Sequence, residues 1–463
     1  MKLLSRLSAL VAVLAVACAA WADEVVPAPR MDKPLTIDQA LELAFKNNPD
    51  LRVATDAVNK AKGLVHEARA RFNPSFASQI VRMYQGPSVS FPNPSGGGTV
   101  TFMPPSQTSA QASMFLPLDT NGKLHYSSHI VKDQFQISYL SLLKTSEQLI
   151  AQVKRNYYEL LRACGQADTA QAAVDVAAAR LKNTEARYRE GTVPKFDLTT
   201  AQVDLANLNQ NLIAAQTRVN IAQASLNRVL GISPSLPTQV VKDDIPVEIY
   251  SVDIPSADAT AKAQRPEIKM QKTSIAVGES NIRLQRTGAL PSVGISGQYD
   301  YLRSAQGFSS GNTSWNALAT VTIPIWDGGV TKAKVDQAYA DLYSARDTLT
   351  QVELGIGQEV STAAMILEEA AKRTKTTSQN VTLAEEALRL ANVRYEAGIA
   401  VLVEVTNAES QLTQARFNQV NAQYDYAIAL AELQRITATQ PELARLCLID
   451  YRPVLETAPN SEL

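Results

Sequence analysis

Two hydrophobic periods share this chain, and each is used twice. Leu198, Leu205, Leu212, Val219 and Leu226 recur every seven residues, as do Val174, Leu181 and Tyr188 before them and Val381, Leu388 and Tyr395 later. Apolar residues sustained at that spacing predict helices packed as coiled coils. Between Leu124 and Tyr188 there is one glycine, Gly165, and no proline. An unbroken helix of roughly 98 Å is expected there at a rise of about 1.5 Å per residue. The chain turns at Gly191-Thr192-Val193-Pro194 and returns as a helix from Asp197 to Leu230. Upstream, Thr36 and Gln39 form a capping box that opens a short helix. Asn48-Pro49 ends it, and a further helix runs to Arg71. The helices 49–71 and 197–230 together approach the length of the long one. They are expected to stack end to end as its antiparallel partner.

Elsewhere the period is two. Val293, Ile295, Tyr299 and Tyr301 alternate with Gly294, Ser296, Gln298 and Asp300, and Trp315, Ala317, Ala319, Val321 and Ile323 largely with polar residues. Strand pairs are expected at 75–84 with 110–118 and at 291–301 with 315–325. Segments of about ten residues with one apolar face suit a membrane barrel, although half-buried strands of a soluble sandwich alternate in the same way. Arg82 weakens the barrel reading of 75–84, because it falls on the face that lipid would meet. A loop with Pro87, Pro92, Pro94 and Gly96-Gly97-Gly98 separates the first pair.

These elements recur in order. Asn48-Pro49-Asp50-Leu51 returns as Arg265-Pro266-Glu267-Ile268 at an offset of 217, and Leu116-Pro117-Leu118 as Ile323-Pro324-Ile325 at 207. A length difference of ten between Tyr84 and Leu116 accounts for the change. The duplication fixes the organisation. A signal peptide is expected at 1–22, a first repeat at 23–230, a joining segment at 231–265, a second repeat at 266–438 and a C-terminal tail at 439–463.

Lys2 and Arg6, an apolar run and Ala20-Trp21-Ala22 make the leader a secretory signal. Cys18 invites a lipoprotein reading, but Ala15-Val16-Ala17 is a poor lipidation box and no lipidation is expected. Cys164 and Cys447 are too few for a disulfide framework. No later stretch approaches about 18 consecutive apolar residues, so no spanning helix is expected. A net charge of −1 gives no basic excess to suggest nucleic acid as a partner. There is no His-Glu-x-x-His, paired CxxC, P-loop or nucleophile elbow, so neither enzymatic activity nor a cofactor is expected. His125, His129 and Asp133 lie four residues apart in turn, a spacing that suits metal ligands but equally a polar helix start; no metal site is expected.

The ordered set resembles the TolC-type outer-membrane efflux proteins over about 35–436. It consists of Leu35-Thr36, Gln39-Ala40-Leu41 and Asn48-Pro49; the strand exits Leu116-Pro117-Leu118 and Ile323-Pro324-Ile325-Trp326-Asp327-Gly328-Gly329; and the turns Arg187-Tyr188-x-x-Gly191 and Arg394-Tyr395-x-x-Gly398. Behind each turn stand Asp197 with Ala201-Gln202, or Glu404 with Ala408-Glu409. The resemblance implies an α+β membrane protein. In it a homotrimer closes a 12-stranded β-barrel in the outer membrane of a Gram-negative-type cell, continued by an α-helical coiled-coil tunnel through the periplasm. It implies a passive exit duct of a tripartite efflux or type I secretion system. Its partners would be outer-membrane lipid, a periplasmic adaptor (membrane fusion protein) and an inner-membrane transporter of RND or ABC type. Glu404 and Asn407, with Asp197 and Thr200 in the first repeat, match the family's pore constriction; Asn407 stands where the family has a second acid. Tyr395 and Arg187 match positions that hold closed tips together. Gly191, Thr192, Val193, Gly398, Ile399 and Ala400 are the expected adaptor-docking tips. The alternative is a soluble periplasmic coiled-coil adaptor or scaffold.

Overall fold

A computed structural model describes residues 34–92, 96–97, 99–103, 106–242, 252–304 and 310–450. The expected signal segment with Cys18 lies outside them, as do parts of the joining segment and of the tail. The first repeat contains α1 (Ile37–Asn47), α2 (Pro49–Ala70), β1 (Ser75–Tyr84), β2 (Val89–Pro92), β3 (Thr99–Met103), β4 (Ser106–Leu118), α3 (Lys123–Arg189) and α4 (Lys195–Leu230). The joining segment contains α5 (Ile254–Gln264), and the second repeat contains α6 (Pro266–Arg286), β5 (Ser292–Ser304), β6 (Ser310–Thr322), α7 (Val330–Glu396) and α8 (Leu402–Ile436), followed by α9 (Pro441–Asp450). The long helices α3 and α7 have 67 residues each, about 100 Å.

Each long helix starts from an aspartate ahead of it. Asp119 accepts hydrogen bonds from the backbone N–H groups of Leu124 at 2.9 Å and His125 at 2.8 Å. Asp327 accepts from those of Gly329 at 3.0 Å and Thr331 at 2.7 Å. Both therefore satisfy orphan donors of a first turn whose N-cap residues, Gly122 and Gly329, have no side chain to do so.

The shorter helices stack as the sequence suggests. Asn48 caps α2, its Oδ1 accepting from Asp50 N at 2.8 Å, while its Nδ2 donates to the Val229 carbonyl at 2.8 Å, near the end of α4. Gly231, with φ +71°, ends α4 so close to this junction that a Cβ would stand 2.4 Å from the Asn47 carbonyl oxygen. Around it Leu41, Ile150, Val153, Tyr157, Leu226 and Leu230 are buried together, and the single Tyr157 hydroxyl proton is shared between the carbonyls of Leu35 and Val241, at 3.1 and 2.8 Å from the oxygen. In the second repeat Ile436 at the end of α8 is buried with Ile268 of α6.

Four strands form one antiparallel sheet, ordered β1-β4-β5-β6, with β1 and β6 as its edges. α3 packs on α2 and α4 and also on α6 and α8, and α7 packs on α6 and α8. The helix columns thus follow the strand order: α2 with α4, then α3, then α6 with α8, then α7.

Several boundaries differ from the sequence reading, β5 among them, which runs from Ser292 to Ser304 instead of 291–301. β4 begins at Ser106, because its polar residues continue the ladder to β1 and, from Gln107, the ladder to β5. β6 runs from Ser310 to Thr322 and stops before Ile323, where Pro324, which has no N–H, follows. The segment expected as a loop holds the β2–β3 hairpin. Despite Arg82, β1 forms over its full length, held by a ladder to β4 from Ser75↔Phe115 to Tyr84↔Ser106.

Candidate gate at the helical tips

The two turns between long and returning helices are built alike. In the first, Gly191 has φ +72°, its N–H donates to the Tyr188 carbonyl at 3.0 Å, and that of Thr192 donates to Arg187 at 2.9 Å. In the second, Gly398 has φ +72°, its N–H donates to Tyr395 at 3.0 Å, and that of Ile399 donates to Arg394 at 2.9 Å. These bonds close the carbonyl end of each long helix through a left-handed residue, which glycine adopts without strain. A Cβ would meet nothing within 4 Å at either glycine, so conformation, not space, demands it. Thr192, Ile399 and Val401 are exposed at the tips, with Val193 and Ala400 half-buried beside them.

The Arg187 guanidinium lies over the Tyr395 ring, 5.8 Å from its centroid, so the two turns touch. Both residues are half-buried, and a contact of this kind is worth about 1 kcal/mol. Glu404 and Asn407, one turn apart on α8, are exposed; Asp197 and Thr200, their counterparts on α4, are half-buried. Arg394 approaches the Glu404 carboxylate at 3.6 Å, an exposed pair that adds at most about 1 kcal/mol. The Thr200 hydroxyl is turned onto its own helix, donating to the Phe196 carbonyl at 2.9 Å.

Further from the tips stands a contact that sequence reasoning missed. Arg180 of α3, only 12 % exposed, pairs with Asp204 of α4 at 3.1 Å and also with Glu409 of α8. Burial pulls its guanidinium below its ordinary pKa, against the opposing pull of Asp204. Its Nε has no hydrogen-bond partner. Beside it a cleft of ≈330 Å³ separates α4 from α8 and is lined in part by Val176, Asp204, Leu208, Thr406 and Glu409. One cation therefore ties both returning helices to the first long helix where they are otherwise apart. The available signal was a break in the duplication: at the offset of 207, Arg180 corresponds to Ala387 and Glu409 to Gln202.

At the other end of α3 the His125 and His129 rings meet edge to face with centroids 4.5 Å apart. Burial, then the neighbouring His125, lowers the His129 pKa. Among the described residues no three His, Cys, Asp or Glu side chains are placed to share a metal ion.

A sheet with two open edges, continued column by column into helices about 100 Å long, defines a segment of a channel wall. The chain belongs to the outer membrane efflux protein family, whose sequence profile it matches over residues 40–232 and 259–439. It is 23% identical to the outer membrane protein TolC of Vibrio cholerae over 306 residues, 64% of this chain and 69% of that one. It is 24% identical to the cation efflux system protein CusC of Escherichia coli K12 over 401 residues, covering 85% and 84% of the two. The crystal structure of the CmeC outer membrane channel of Campylobacter jejuni superposes with a TM-score of 0.71 at 16% identity, covering 92% of this chain and 90% of that one. The family is one of efflux ducts, and the soluble adaptor or scaffold reading is overturned.

Proposed function

We propose that three copies of this chain form a passive exit duct through the outer membrane and across the periplasm. It would be opened at its tips by a periplasmic adaptor and driven by an inner-membrane transporter of RND or ABC type. The observation that carries this reading is the shared order of strands and helix columns. Four strands cannot close a barrel, and an open sheet edge is not tolerated in lipid. Three copies of the four-stranded sheet pair every β6 with a neighbouring β1 and remove the edges. The duct performs no chemistry; the energy comes from its partners.

At the tips, Glu404 is the constriction-forming acid and Asn407 its neutral neighbour, with Asp197 and Thr200 contributing from α4. Three Glu404 carboxylates around one axis attract cations. Arg187 and Tyr395 hold the two turns together in the closed state. Gly191, Thr192, Val193, Gly398, Ile399 and Ala400 are the surface an adaptor hairpin meets; the exposure of Thr192 and Ile399 supports this.

Planar-bilayer recording tests the proposal. Purified protein is expected to insert as trimers of small conductance blocked by divalent cations, with Glu404→Ala weakening the block about tenfold or more and Asn407→Ala much less. A protein that neither trimerises nor conducts would sink the duct reading; block untouched by Glu404→Ala would sink the constriction alone.

A further inference from the structure

The outward face of the sheet carries two cations for which a duct has no evident use. Through the strand register, Arg82 of β1, Thr108 of β4 and Arg303 of β5 form one row. They share a face with Phe76, Ile80, Ile295, Trp315 and Val321, whereas Gln79, Gln111, Asp300 and Ser314 form a polar row on the other. Arg82 and Arg303 are both exposed. Arg82 lies over the Tyr84 ring at 5.2 Å, and among the described residues neither arginine meets a carboxylate.

Their height on the sheet says what they face. On β5, Arg303 stands ten residues from Val293, at the helical end of the strand. At about 3.3 Å per residue that is roughly 33 Å along the strand, or roughly 25 Å across a bilayer at a tilt of about 40°, the height of a barrel's apolar band. The row therefore sits at the outer headgroups. Tyr301, Tyr299 and Trp315 lie in the rows just beneath it, as interfacial aromatics do. Across two strand spacings the arginines stand about 10 Å apart, with the Thr108 hydroxyl between them. Two guanidinium forks flanking a hydroxyl donor suit a phosphate, and an anion removes the cost of placing unpaired cations at the lipid face.

We propose that the Arg82–Thr108–Arg303 row binds the phosphorylated headgroup of an outer-leaflet glycolipid, one per protomer. This rests on the duct reading, which turns the apolar face towards lipid. Native mass spectrometry of the detergent-solubilised trimer, titrated with lipid A carrying two phosphates, tests it. Dephosphorylated lipid A and inorganic phosphate provide the other arms. The wild-type protein is expected to take up the bisphosphorylated lipid saturably, to take up the dephosphorylated lipid at least tenfold more weakly, and to show no competition from millimolar phosphate. The R82Q/R303Q variant should lose at least tenfold in affinity at unchanged channel conductance, and R82K/R303K should lose less. Equal uptake by the R82Q/R303Q variant, equal uptake of dephosphorylated lipid, or displacement by free phosphate overturns the site while leaving the duct intact. Failure of the wild-type protein to form channels overturns both.

Discussion

Glu147 is a carboxylic acid buried on the long helix α3 among charges from other elements. It is 7 % exposed on α3. Burial, reinforced by the charge of Glu267 and opposed by Arg265, Arg435 and Lys269, pushes its pKa up to about 7. The folded state therefore holds a proton that the unfolded chain releases at its ordinary pKa of 4.5. Below that value the site costs nothing. As pH rises towards 7 the folded protein loses stability progressively, by an order of magnitude of about 3 kcal/mol once Glu147 is fully ionised. Glu147→Gln is accordingly expected to raise the melting temperature of the helical body at pH 8 and to leave it nearly unchanged at pH 4.5. Thermal melts followed by circular dichroism would decide this, and a gain equal at both pH values would count against it. Periodicity marked α3 as a helix but could not expose Glu147, whose shift depends on residues from α6 and α8 that only the fold brings near.

At the scale of elements, the helices were the legible part and the stacking junctions less so. Seven-residue spacing and the absence of proline gave α3 and α4 to within two residues and marked α7 through Val381, Leu388 and Tyr395, since a coiled-coil seam is written locally. The strands were legible in alternation but not in extent: Ser106–Ala110 carries no apolar face and belongs to β4 only through its partners. Matching lengths suggested that α2 follows α4, yet nothing local marked Gly231 as the residue that permits it. A Cβ there would meet both the Asn47 carbonyl oxygen at 2.4 Å and the Asn48 nitrogen at 2.9 Å, in a left-handed conformation. Gly231→Ala should therefore cost about 2 kcal/mol or more, well beyond the ordinary penalty for φ alone. Gly191→Ala, with the same sign of φ and open space around it, should cost about 1 kcal/mol. Denaturant titration of the two variants separates crowding from conformation; equal losses would mean that the junction yields.

For the whole molecule, the two repeats matter most where they disagree. Identical halves would place identical ties around the ring, but Arg180 has no counterpart in the second repeat. In one chain it neutralises acids from both returning helices, Asp204 and Glu409, which are 32 % and 17 % exposed. In the proposed duct, opening the tips would draw α4 and α8 apart across this cation. Removing it leaves two carboxylates facing each other in a partly dry cleft, and breaking a buried pair from one side is far more costly than never having built it. Arg180→Gln is therefore expected to open the duct: single-channel conductance should rise several-fold in otherwise intact trimers. The second site then fixes the cause. Arg180→Gln/Glu409→Gln removes the repulsion along with the tie, so its conductance should fall back towards the wild-type value. Loss of packing alone predicts that the double variant stays as open as the single one, and that outcome would remove Arg180 from the gate and leave Arg187 with Tyr395 as the contact between the turns.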